Sequence, residues 1–178
     1  MTSDIEYYSY PSTRRPPPIA AEVVRAFRSL EPEISTVALS REDSLKSDGV
    51  LETVRPDLET AGFEVETGKG ADNLVHRAAT FGKNGRRDHG YEVDGYHEEE
   101  RCVIEVEAGR AWDSNHTHRN LIRAMTMVGV EVLVMAVPRE YKHTNGTTRA
   151  FEKSRRIVET LYRSDRVDVP FELVLLGY

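Results

Sequence analysis

Val130-Glu-Val-Leu-Val-Met-Ala-Val137 is the most hydrophobic run in the chain, and it restricts the fold more than any other stretch. It is far shorter than the ~18–20 apolar residues that span a bilayer. Its β-branched residues and the closing Pro138 predict a strand buried on both faces. A helix from about His116 to Met127 precedes it, with Leu121, Ile122, Met125 and Val128 as its apolar stripe. Asp113, Ser114 and Asn115 are candidate N-caps for that helix, and Gly129 is its stop. Cys102 to Glu107 before it alternates like a strand. Strand, helix and strand in this order predict a crossover that leaves the two strands parallel in one sheet.

The strand at Cys102 is the second half of a predicted β-hairpin spanning Gly90 to Arg110, with a polar tip at Glu98 to Glu100. Cys102, Ile104 and Val106 point one way, whereas Val103, Glu105 and Glu107 point the other. With Glu99 and Glu100 in the loop, Asp94 lies opposite Glu105, and Glu92 opposite Glu107. Like charges so placed are destabilising. A fold keeps such a face when a cation or retained protons relieve it, or when water bathes it.

Residues 1–18 read as an extended, mobile, Pro-rich tail, and 19–178 as one α/β domain. Ile19, Val23, Val24, Phe27 and Leu30 mark a first helix, ended by Glu31-Pro32. Ser40 to Ala61 reads as a second, with Ser40 and Asp43 as a capping box and Pro56 as a kink. Phe63–Thr67 is a strand, and Leu74–Phe81 is a strand or a loop. Gly82–His89 is a basic turn, Thr147–Tyr162 a helix, and Phe171–Leu176 a last strand.

Charge and cysteine content narrow the function. The net charge of −6 argues against indiscriminate coating of nucleic acid. It is uneven: residues 1–75 carry 14 acids against 8 Lys/Arg, and residues 139–166 carry 4 against 8. Cys102 is the only cysteine, which excludes an intramolecular disulfide and a thiolate zinc site. The beginning of the chain lacks signal-peptide character, so the expectation is a cytoplasmic protein with no membrane partner.

Asp94, ten intervening residues, and then Glu105-Val106-Glu107 in the next strand resemble the motif of the PD-(D/E)XK, or restriction-endonuclease-like, nuclease superfamily. The resemblance implies a core of helix, three-stranded meander, helix and strand over roughly Leu45 to Val137. A central mixed β-sheet flanked by helices would run α-β-β-β-α-β, with a further α-β appended. Val93 stands where that family often has proline. Glu107 stands where it usually has lysine, as in its E-x-E subgroup, and lysine activation of water is then in doubt.

The resemblance further implies a Mg²⁺-dependent endonuclease acting on DNA, with Mn²⁺ able to substitute. Asp94, Glu105 and the carbonyl of Val106 would hold the ion, Glu52 would join them from the first core helix, and Glu107 would orient or deprotonate water or help hold a second ion. Arg110, His116 and Arg119 are candidate phosphate contacts beside a helix N-terminus, and Lys83, Arg86 and Arg87 are candidates from their loop. Two cuts in a duplex favour a homodimer, with residues 1–44 as a candidate contact. On sequence alone two rivals stay open: a binding module with an unproductive, lysine-less site, and an accessory α/β protein whose acidic face is coincidental.

Overall fold

The computed structural model describes residues 3–68, 70–108 and 115–178. Its centre is β7 (Val132–Val137), all six residues of which are buried. β7 pairs in parallel with β6 (Cys102–Val106) on one side and with β10 (Glu172–Gly177) on the other. β1 (Glu6–Tyr10) adds antiparallel to β10, β5 (Gly95–His97) antiparallel to β6, and β2 (Glu64–Val65) antiparallel to β5. The mixed sheet therefore runs β1-β10-β7-β6-β5-β2.

The period-2 alternation of these strands sorts side chains into two cores. Ile104, Val106, Val134, Ala136, Val174 and Leu176 face α1 (Pro18–Ser29), α2 (Glu31–Ile34) and α3 (Ser47–Thr60). Val103, Leu133, Met135, Leu173 and Leu175 face α4 (His116–Thr126) and α5 (Ala150–Arg163). A buried aliphatic side chain contributes about 1.5–3 kcal/mol, so this double-faced sheet dominates stability. The parallel β6-α4-β7 crossover is as the hydrophobic pattern requires.

Two small ribbons stand apart from the sheet. β3 (Val75–Phe81) pairs with β4 (Arg87–Val93), and β8 (Tyr141–His143) with β9 (Gly146–Thr148).

The structure departs from the sequence reading in four places. Residues 6–10 are an edge strand rather than tail, because Ile5 and Tyr10 are buried and Arg139 binds Asp4 and Glu6. Ser40 and Asp43 do make the capping bonds, Ser40 Oγ to the Asp43 carboxylate and Asp43 N–H to Ser40 Oγ, but around an isolated turn. The helix begins only at Ser47 and carries Pro56 inside it. Ile122 and Val128 are exposed, since α4 buries Leu121 and Ala124 instead. Finally, the first hairpin strand breaks at Asp94: Glu92 pairs with His76 of β3, so it does not oppose Glu107.

Candidate active site

Asp94 sits where β4 ends and β5 begins. Gly95 must follow it, because a Cβ there would stand 2.8 Å from Ile104 Cγ2 and 3.1 Å from the Glu64 carbonyl. The register Gly95↔Ile104 places Asp94, one residue further, beside Glu105. The register Val65↔Gly95 likewise places Glu66 on its other side, and Glu66 N–H donates to the Asp94 carbonyl at 2.9 Å. Three carboxylates thus line up across adjacent strands, where the carboxyl end of β6 meets the start of α4. Open α/β sheets bind ligands at such an end.

Each acid is held differently. Asp94 Oδ2 accepts the Val106 N–H at 2.5 Å. Burial nevertheless raises its pKa to about 7, with Glu66 and Glu107 adding to the rise. Glu105 is 5 % exposed, and its Oε1 has no hydrogen-bond partner. Burial first, and the Asp94 charge second, push its carboxyl well above the usual range. Arg123 offers partial relief, with Nη1 3.7 Å from that same Oε1.

Glu107 differs from both. Its Oε2 meets His116 Nδ1 at 2.8 Å, and its Oε1 accepts from Asn120 Nδ2 at 2.7 Å and from Arg119 Nη2 at 3.4 Å. Its backbone carbonyl accepts from the Tyr178 hydroxyl. The first turns of α4 therefore fix this carboxylate from one side.

Asp94, Glu105, Val106, Glu107, His116 and Arg119 all line one open cleft, and Arg87 lies on its wall. Lys83 and Arg86 are exposed at the tip of the β3–β4 ribbon. Glu52 faces solvent on α3 outside the lining, whereas Ser47, the first residue of that helix, is part of it. Arg110 falls within 109–114, outside the described residues, as do Trp112, Asp113 and Ser114.

The sequence reading missed Glu66, Asn120 and Arg123. Asn120 and Arg123 follow His116 at i+4 and i+7 and so share its helix face, a signal the chain did carry. Glu66 becomes visible only once β2 is paired to β5.

Among the described residues, no three His, Cys, Asp or Glu side chains are drawn together as a ready ligand set. The donors nonetheless suit a hard divalent cation. A buried, unbonded carboxylate oxygen beside a second acid is a costly arrangement that an ion would relieve.

No family model matches the chain, and no curated protein matches it. Among solved structures, the crystal structure of restriction endonuclease BglII complexed with a DNA 16-mer superposes with a TM-score of 0.54. The match covers 97 % of this chain and 75 % of that one, at 13 % identity. The fold is restriction-endonuclease-like. In that restriction-endonuclease-like frame, β2, β5 and β6 are the meander, α4 is the crossover helix and β7 is the strand it leads to. Among the described residues no helix is long and apolar enough to cross a membrane.

Proposed function

We propose that this chain is a divalent-metal-dependent endonuclease that hydrolyses DNA phosphodiester bonds, taking Mg²⁺ and accepting Mn²⁺. The observation that carries the reading is Glu105, a buried carboxylate whose Oε1 lacks a hydrogen bond while a second acid stands beside it. Asp94, Glu105 and the Val106 carbonyl would hold the ion, with Glu66 as a further ligand in place of Glu52. When bound, such an ion acts as a Lewis acid on the phosphate and offsets charge at the leaving oxygen.

The chain's own residues supply the rest. Glu107 fixes the ring of His116 through Nδ1, which leaves Nε2 as the nitrogen able to take a proton from attacking water. This pair stands in for the absent lysine. Arg119 and Arg123 neutralise phosphate charge at the cleft, and α4 presents its positive end there. A two-fold dimer would bring one such cleft to each strand of a duplex.

Incubation with supercoiled plasmid, linear duplex, single-stranded DNA and RNA, with Mg²⁺ or with chelator, tests the reading. Mg²⁺-dependent cutting of DNA is expected, and Asp94→Asn and Glu105→Gln are each expected to abolish it without unfolding the chain. Binding without cutting would assign the fold to a non-catalytic module. Full activity in either variant would refute the site.

A further inference from the structure

We infer that the β3–β4 ribbon is a duplex-reading arm that enters the major groove beside the cleft, with Phe81 as its apolar tip contact. The inference rests on the nuclease reading for its substrate class and adds the element that grips it.

The ribbon is anchored at one end only. Val75 and Val93, paired at its base, are buried, whereas every residue from Thr80 to His89 is exposed. Phe81 is 58 % exposed, in a chain that buries its other phenylalanines. A large aromatic left in water at the tip of a projecting element is a contact in want of a partner.

The surroundings of Phe81 identify that partner. Residues 75–93 carry Arg77, Lys83, Arg86 and Arg87 against Asp88 and Glu92, in a chain whose net charge is −6. Arg77 is spent on Glu98 and the Tyr96 ring. Lys83, Arg86 and Arg87 flank Phe81 at the tip. A cationic tip around an aromatic, on an otherwise acidic chain, fits a polyanion that also offers apolar edges.

Geometry narrows this to the duplex major groove. Two paired strands lie ~4.8 Å apart, and with side chains they suit a groove ~12 Å wide rather than one of ~6 Å. Arg87 to Val93 also line the cleft that holds Asp94 and Glu105, so a groove read by the tip is continuous with a phosphate at the acids. The tip is preformed. Gly82 N–H donates to the Arg86 carbonyl at 2.8 Å, and Gly85 N–H to the Gly82 carbonyl at 3.1 Å. Asn84 and Gly85 take the positive φ that this turn requires, 59° and 69°. Little ordering cost then remains for binding.

Fluorescence anisotropy with a short labelled duplex, in Ca²⁺ to hold back cleavage, tests the arm. Phe81→Ser should weaken binding about tenfold, as for the lost burial of one large apolar side chain against base edges, at unchanged salt slope. Lys83→Ala with Arg86→Ala should make the slope of log K against log salt shallower by about 1.8. Methyl green, which occupies the major groove, should displace the protein, and netropsin, in the minor groove, should not. Melting temperatures near wild type confirm that these exposed changes leave the fold intact. Wild-type affinity and slope in both variants, or displacement by netropsin alone, would overturn the inference. Mg²⁺-dependent cutting retained alongside that result would leave the nuclease reading standing. Absence of cutting by wild type would remove that reading by itself.

Discussion

Arg123 and Glu105 approach to 3.7 Å with side chains 18 % and 7 % exposed, and neither is fully satisfied by the other. Arg123 also donates to the Glu92 carbonyl and lies over the Tyr91 ring, so it is held independently of the acid. A guanidinium so placed shields the carboxylates when no ion is present and opposes an ion that arrives. Arg123→Gln should therefore destabilise the metal-free protein by about 2 kcal/mol, since Glu105 loses its counter-charge. The same change should tighten Mn²⁺ binding about tenfold, because one positive charge near the ligands is gone. Calorimetric titration reads the second effect; unchanged or weaker affinity would mean that Arg123 and the ion do not compete. At the neighbouring position, His116→Ala should slow cleavage by about 100-fold if its free nitrogen takes the proton. Single-turnover rates at saturating Mg²⁺ measure this, and a wild-type rate would return the role to Glu107 alone.

At the scale of elements, β1 shows how packing overrides local signals. Tyr7 and Tyr8 are exposed while Ile5 and Tyr10 insert into the cores, and the strand covers the free edge of β10. Deleting residues 1–10 should cost several kcal/mol and leave an apolar edge prone to association. Urea midpoints and light scattering would register both, and a deletion as stable and monomeric as the full chain would contradict the edge role. The hydrophobic pattern made the β6-α4-β7 core legible, because an eight-residue apolar run after an amphipathic helix has few alternatives. The Asp94–Glu105 juxtaposition was legible too, through side-chain parity. The break at Asp94 was not. Tyr91, Val93 and Tyr96 favour strand on both sides of Asp94-Gly95, and pairing with distant Val75–Phe81 diverts the first half into a ribbon. Glu66 stayed hidden for the same reason, since the strand it follows, Glu64–Val65, has two residues and no partner that local sequence names. Ile122 and Val128 kept helical spacing yet face outward, because α5 packs on the side of α4 that carries Thr117, whose hydroxyl meets that of Ser154 at 3.1 Å.

For the molecule as a whole, the buried acids set the response to pH and to metal. The Asp94 pKa rises from an ordinary 3.8 to about 7, so the folded chain holds a proton there that the unfolded chain releases. Stability contributed by that proton is complete below about pH 4 and is lost as pH climbs to about 7, with Glu105 adding in the same direction. Asp94 keeps little exposure to water, so the loss across that window is on the order of a few kcal/mol. Denaturant titrations in chelator should accordingly show stability falling from pH 5 to pH 8 in wild type, and falling less in Asp94→Asn. On the proposed reading, a divalent metal that binds the ionised form should reverse the penalty and stabilise the chain by RT ln(1 + [M]/Kd). Melting curves of wild type and Glu105→Gln at pH 8, each in chelator and in Mn²⁺, test the shared cation site most directly. Glu105→Gln should melt above wild type in chelator, having shed a repelling charge, and should gain little from Mn²⁺, having lost a ligand. A variant that melts below wild type in chelator yet gains as much from Mn²⁺ would show that Asp94 and Glu105 do not share an ion.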